Sequence, residues 1–282
     1  MSRLEGKVAL ITGAARGQGR SHAVTLAEQG ADIILFDICH DIDTNNYPLA
    51  TPHDLEEARL EVEKTGRRAV AAEVDVRDRT AVRSNLDHAV GELGGLDVVV
   101  ANAGICALGD ETTVGAFCDT FDVNFVGMIN AVHSAIPHLK AGASIITIGS
   151  IAALVSDRVA GAMGGGPGGD GYNVSKSFIN QYTVKLAKQL APRSIRANVI
   201  HPTNVKTDML LQPAMYKMFR PDLENPTLDD AMVGFPMQQS MPIPYIETAD
   251  VSSMVAYLAS DESRYVTGSQ FTVDGGAMLR FV

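Results

Sequence analysis

Tyr172 and Lys176 stand four residues apart, with Ser150 upstream of them. Side chains at i and i+4 share one face of a helix. A phenol, with an ordinary pKa of about 10, is a poor base at neutral pH. An ammonium fixed beside it favours the phenolate and makes it usable. A serine hydroxyl can orient the same substrate oxygen. Such a trio manages the proton of an alcohol or a carbonyl and needs a separate hydride carrier. The stretch Thr12-Gly13-Ala14-Ala15-Arg16-Gly17-Gln18-Gly19 offers a place for one. Its glycines let backbone approach a pyrophosphate at the N-terminus of a helix. An unliganded glycine turn has the same pattern, but this one follows a strand-like run and opens a helix-like one.

Asp37 closes the second strand-like run, 18 residues after Gly19. A carboxylate there accepts hydrogen bonds from adenosine ribose hydroxyls and repels a 2′-phosphate, which favours NAD over NADP. Arg16 is the opposing signal, because a guanidinium attracts phosphate. Asp75-Val76 and Asn102-Ala103-Gly104 close the third and fourth runs and are placed to edge the adenine and to let backbone approach the cofactor. Each alone fits an ordinary strand-end turn. Likewise Ser150 alone fits a helix cap, Tyr172 with Lys176 a surface pair, and Asn124 a tolerated polar residue in a helix. The series as a whole points to a site. His201 fits the nicotinamide pocket and a structural role equally.

These residues need elements to carry them. Lys7–Thr12, Asp32–Phe36, Ala69–Val74, Asp97–Ala101, Ser144–Ile148, Ile195–Ile200 and Gln270–Val273 read as strands. Gly17–Gln29, Asp54–Thr65, Arg79–Leu93, Val114–Leu139, Tyr172–Ala191 and Ala249–Ala259 read as helices. The alternation predicts one α/β domain over 1–282, a doubly wound parallel sheet of about seven strands with helices on both faces. Three segments break the rhythm: a polar loop at 38–53, a glycine-rich insert at 163–171, and a Met- and Pro-rich segment at 205–245. Loops of this length serve as lids and binding loops.

With 46% hydrophobic and 20% charged residues, the composition is that of a soluble globular protein with a full core. A net charge of −10 excludes a basic nucleic-acid footprint. Cys39, Cys106 and Cys118 form no metal-ligand spacing, and an odd count without a signal peptide points to a reducing cytoplasm. The apolar runs are of strand length, too short to span a membrane.

Taken together, TGAARGQG, Asp37, Asp75-Val76, the NAG at 102–104, Asn124, Ser150, YNVSK at 172–176 and HPTNVKT at 201–207 resemble the short-chain dehydrogenase/reductase family. The resemblance covers nearly the whole chain. In YPLATPHDL at 47–55, MYKMFRPDLENPT at 215–227 and the ending ASDESRYVTG, the chain is similar to mycofactocin-associated, carveol-dehydrogenase-like members of actinobacteria. The resemblance implies a Rossmann-type fold and Tyr172 as general acid/base. It makes Lys176 a lowering influence on that phenol and a ligand of the nicotinamide ribose. Ser150 would hydrogen-bond the substrate oxygen, and Asn124 would hold a relay water. Gly13, Arg16, Gly17, Gln18, Gly19, Pro202, Val205 and Thr207 would contact NAD, with Thr207 at the carboxamide. The resemblance also implies a homotetramer, packed through the helices at 114–139 and 172–191, and an external electron acceptor for enclosed NAD. Family members space Ser and Tyr by about a dozen residues, whereas here the gap is 22, which predicts that the glycine-rich insert loops out. Ile151, Leu154, Val155, Met209, Leu210 and Met215 predict a pocket for an apolar, terpenoid-like alcohol or ketone. Two alternatives stay open: a non-catalytic NAD-binding sensor on the same fold, and a sugar-nucleotide epimerase-like enzyme.

Overall fold

The computed structural model describes residues 2–155 and 165–281. Strands β1 (Val8–Thr12), β2 (Asp32–Asp37), β3 (Ala69–Glu73), β4 (Val98–Ala101), β5 (Ser144–Ile148), β6 (Arg196–Pro202) and β7 (Gln270–Val273) form one sheet. Its order is β3-β2-β1-β4-β5-β6-β7, and every neighbouring pair is parallel. Every residue of β1, β2, β4, β5 and β6 is buried, as a sheet covered on both faces requires.

Helices α1 (Gly17–Glu28), α2 (Pro52–Lys64), α3 (Arg79–Leu93), α4 (Val114–Phe121), α5 (Gly127–Ala135), α6 (Ala152–Val155), α7 (Gly166–Leu190), α8 (Pro213–Phe219), α9 (Leu228–Gly234) and α10 (Thr248–Ala259) supply the cover. The two-residue period of the strands sorts their side chains between two cores. Ala9, Ile11, Ile33 and Leu35 pack with residues of α1, α2 and α10. Leu10, Ile34, Phe36 and Val99 pack with residues of α3, α5 and α7. Strand order reverses between β1 and β4, and ligands of such sheets bind beyond the carboxyl strand ends at that reversal. Thr12, Asp37 and Ala101 end strands there.

Three expectations are corrected. The helix expected at 114–139 is interrupted by a π-turn, Asp122–Val126, which carries Asn124. Helix α2 begins at Pro52 rather than Asp54. Thr51 caps it, its hydroxyl accepting from the Asp54 N–H at 3.3 Å while the Asp54 carboxylate accepts from the Thr51 N–H at 2.7 Å. The described part of the glycine-rich insert does not loop out: Gly166–Gly171 are the opening turns of α7. A Cβ at Gly168 would run into the Ala107 carbonyl oxygen, and one at Gly171 would lie 2.7 Å from that of Phe117. These glycines let α7 press against neighbouring backbone. Residues 156–164, including the first two of the glycine-rich insert, lie outside the described residues. Among the described residues, no helix is long and apolar enough to cross a membrane.

Candidate active site

The dinucleotide groove begins where β1 turns into α1. Gly13 has φ +64°, and a Cβ there would lie 2.8 Å from Ala103 Cα; a Cβ at Gly19 would collide with the Gly13 carbonyl. Only glycine lets these segments approach so closely. The turn is tied down from β4. Thr12 Oγ1 accepts from the N–H groups of Asn102 and Ala103, each at 3.1 Å, and Asn102 Nδ2 donates to the Thr12 carbonyl at 2.9 Å. The Asp37 carboxylate accepts from the Ala15 N–H at 2.9 Å and lines the groove. Burial pushes its carboxyl up, against the pull of the Ala15 and Cys39 N–H groups.

Gly13, Arg16, Gly17, Gln18, Gly19, Asp37, Asp75, Val76, Asn102, Ala103, Gly104 and Thr207 all line this groove. Arg16 is not free for a phosphate, however. Its guanidinium donates to the Pro48 carbonyl at 2.5 Å and pairs with Asp208 at 3.0 Å, joining the β2–α2 loop to the segment after β6. Asp75 is engaged by Arg77, 2.7 Å away. The β2–α2 loop is partly buried, with Ile42, Tyr47 and Ala50 all below 8% exposure, and it walls one side of the groove.

The catalytic trio adjoins this groove. Ser150 lies two residues beyond β5, while Tyr172 and Lys176 lie on α7. The Ser150 and Tyr172 side chains line the same cavity, close enough for the hydroxyl to act on the phenol, so the 22-residue gap does not separate them. Lys176 Nζ lies 5.5 Å from the Tyr172 ring centroid and donates to the Ile148 carbonyl at 2.9 Å. Burial pushes the Tyr172 phenol up, the neighbouring Cys106 adds to this, and the Ser150 hydroxyl opposes it. The lowering expected from Lys176 is not among the causes acting on this phenol; burial, which disfavours the phenolate, dominates. Burial also pulls Lys176 down to about 8.

Asn124 Oδ1 accepts from the Ile105 N–H at 2.8 Å, and its Nδ2 donates to the Ile105 carbonyl at 3.0 Å and to Ser175 Oγ at 3.1 Å. Its amide therefore braces the turn after Gly104 against α7, where the resemblance implied a water. His201 does not line the cavity; it is buried behind Ser150.

Tyr172, Ser150 and Lys176 line a second cavity beside the groove. It shares Gln18, Asn102, Gly104, Val205's neighbour Thr207, and Met209 with the groove; Pro202 and Val205 line the cavity alone. Its apolar wall is Cys106, Leu108, Ile151, Met209, Leu210, Met215 and Met218. Leu154 and Val155, expected in this wall, are not among its lining residues. The segment after β6 is more ordered than its sequence suggested: Phe219 of α8 packs on Phe235, the residue after α9, with ring centroids 4.9 Å apart.

Sequence reasoning missed Tyr47 and Cys106. Tyr47 is fully buried and its hydroxyl accepts from the Cys106 N–H at 3.2 Å. Its signal was being the one Phe, Tyr or Trp of a polar loop. Cys106 follows the Asn-Ala-Gly turn by two residues, and burial pushes its thiol up to about 12, so it stays neutral.

A family model described as enoyl-(acyl carrier protein) reductase matches residues 13–278. A protein of Mycolicibacterium smegmatis named as a short-chain type dehydrogenase/reductase is 45% identical, with 99% of each chain covered. The (−)-trans-carveol dehydrogenase of Rhodococcus erythropolis is 40% identical over 99% of this chain and 100% of its own. The crystal structure of carveol dehydrogenase from Mycobacterium avium in complex with NAD superposes with a TM-score of 0.91 at 40% identity, covering 99% of this chain and 100% of that one.

Proposed function

The chain belongs to the short-chain dehydrogenase/reductase family, and from that premise we propose that it is an NAD-dependent oxidoreductase interconverting a secondary alcohol and a ketone on an apolar, terpenoid-like substrate. The observation that carries this reading is the half-buried Tyr172, with the Ser150 hydroxyl beside it and Lys176 behind it, facing an apolar cavity next to a groove that presents Asp37. NAD supplies the hydride acceptor when bound. The residues present fit it. Asp37 would take the ribose hydroxyls and 13–19 the pyrophosphate. Asp75, Val76 and Asn102–Gly104 would edge the nucleotide; Pro202, Val205 and Thr207 would meet its nicotinamide end. A buried Gln18 Oε1 without a partner among the described residues marks the junction between groove and cavity.

In oxidation, Tyr172 Oη takes the hydroxyl proton of the alcohol while Ser150 orients that oxygen and stabilises charge developing on it. In reduction Tyr172 returns the proton. Lys176 keeps positive charge behind the phenol. Asn124 holds the backbone on which this arrangement rests, and any relay water falls to its main-chain carbonyl. Because burial holds Tyr172 in its neutral form, oxidation should speed up as pH rises.

The apolar wall favours a hydrocarbon ring over a sugar nucleotide, and a non-catalytic sensor has no use for this Tyr–Lys–Ser set. The Arg16 link across the groove supports an enclosed nucleotide served by an external acceptor. Exposed Val174, Phe178 and Val184 on α7 support a homotetramer. The test is a panel of secondary alcohols, carveol among them, with NAD or NADP and with or without an artificial electron acceptor. The reading expects NAD-linked oxidation of cyclic apolar alcohols, and bound nucleotide released on denaturing the purified protein. Turnover confined to NADP, or to sugar nucleotides, would overturn it.

A further inference from the structure

The long connection between Ser150 and Tyr172 raises a physical question: what fixes their separation? The structure supplies a route that bypasses the connection. His201, in β6, is fully buried, and its imidazole touches both sides of the site. Nδ1 lies 3.2 Å from the Ser150 backbone nitrogen and 2.8 Å from the Ser150 carbonyl oxygen. Nε2 lies 3.2 Å from Asn180 Oδ1.

Asn180 is on α7, one turn beyond Lys176 and two beyond Tyr172. The positions 172, 176 and 180 make one stripe on the helix. Room for the ring is built in, since a Cβ on Gly149 would lie 2.5 Å from His201 Nδ1. Ladder bonds hold the flanks: the Gly149 N–H donates to the Ile200 carbonyl at 2.7 Å and the Ile151 N–H to the Pro202 carbonyl at 3.1 Å. Either neutral tautomer spans the same two partners. With the proton on Nε2, the ring accepts from the Ser150 N–H and donates to Asn180 Oδ1. With the proton on Nδ1, it donates to the Ser150 carbonyl and accepts from the Asn180 amide after an amide flip.

We propose that His201 and Asn180 are positioning residues that lock the Ser150 turn to the helix carrying Tyr172 and Lys176, and so set how closely the Ser150 hydroxyl approaches Tyr172. Neither touches substrate or cofactor. The inference rests on the reading of Ser150 as a catalytic hydroxyl. Burial pulls His201 down to about 4, which keeps the bridge neutral at physiological pH.

The readout that a merely structural role leaves still is the pH profile of oxidation. Tyr172 is faced by Ser150 after β5, Cys106 after β4, Tyr47 from the β2–α2 loop and Lys176 from its own helix. Of these, Ser150 favours the phenolate directly. Loosening Ser150 should therefore move the alkaline limb of the profile to higher pH. Asn180→Ala cuts the bridge at a half-buried surface of α7, while His201→Phe keeps the ring volume and removes both nitrogens. Oxidation of a cyclic secondary alcohol, carveol first, is measured across pH with each variant, alongside Ser150→Ala and NAD affinity. We expect kcat to fall about tenfold in Asn180→Ala, the profile to shift alkaline as in Ser150→Ala, and NAD affinity to hold. If His201→Phe fails to fold, Asn180→Ala carries the test. Wild-type kcat and profile in Asn180→Ala, with Ser150→Ala impaired, would overturn the bridge and leave the reading of Ser150 standing. An unimpaired Ser150→Ala would overturn the reading itself.

Discussion

The two sides of the ligand cleft are built differently. On the nucleotide side, backbone does the positioning. Glycines allow contacts that any Cβ would block, and Thr12, Asp37, Asn102 and Asn124 have protein partners for their polar atoms. On the substrate side, short helices carry methionines. Buried polar atoms without hydrogen-bond partners among the described residues occur on both sides, Gln18 Oε1 and Asn45 Oδ1 on the first, Asn204 Nδ2, Gln212 Oε1 and Gln239 Oε1 on the second, so they do not separate the two. The wall of adaptable thioethers does, and it is suited to varied occupants. The nucleotide side is made for one ligand shape; the substrate side is not.

That contrast can be broken or sharpened by experiment. Each side buries one neutral histidine: His22 in α1, pulled by burial to about 3, and His201 in β6, pulled to about 4. Both folded-state values lie below the unfolded one, so the unfolded chain binds more protons under pH 6.5. Stability is then complete above pH 6.5 and declines as pH falls toward 4, at about 1.4 kcal/mol per pH unit for each histidine. Urea titrations across that window should show this, and His22→Phe should roughly halve the slope. An unchanged slope would detach His22 from the acid response.

Gly19→Ala should cost at least about 2 kcal/mol of NAD affinity, because the new methyl displaces the Gly13 carbonyl. Calorimetric titration with NAD reads this, and wild-type affinity would break the claim that backbone contact shapes this side. Asp37→Asn should weaken NAD by about 1.5–3 kcal/mol, the range for hydrogen bonds to charged groups, and narrow the preference over NADP. Parallel titrations with both nucleotides decide. Met215→Ala should act on the other side alone. Its KM for bulky cyclic alcohols should change by about 1 kcal/mol while NAD affinity stays put. A change in NAD affinity instead would dissolve the distinction between the two sides.

The nucleotide side was also the more legible from sequence, for the same physical reason. Backbone constraints leave glycines at fixed spacing, and buried parallel strands leave continuous apolar runs, so β1 to β7 and the groove residues could be read directly. Side-chain traffic across the cleft leaves no such mark. Nothing local to Arg16 says that it is taken by Pro48 and Asp208, and nothing in the 38–53 stretch says that Tyr47 is buried against Cys106. The glycine-rich stretch misled because glycine serves two ends. It loosens a chain in solvent, but at Gly168 and Gly171 it admits close backbone packing inside a helix. The π-turn at Asn124 escaped notice because a helix with one extra residue per turn keeps a helical pattern. His201 gave an ambiguous signal because its partners, Ser150 and Asn180, lie 51 and 21 residues away.

The central claim is that Tyr172 moves the substrate proton. Tyr172→Phe removes one oxygen and keeps the ring that packs beside Lys176. With saturating NAD and a cyclic secondary alcohol, single-turnover formation of reduced nucleotide should fall by a factor on the order of 10²–10⁴, while NAD affinity stays at the wild-type value. Turnover within a few-fold of wild type in that variant would contradict the account.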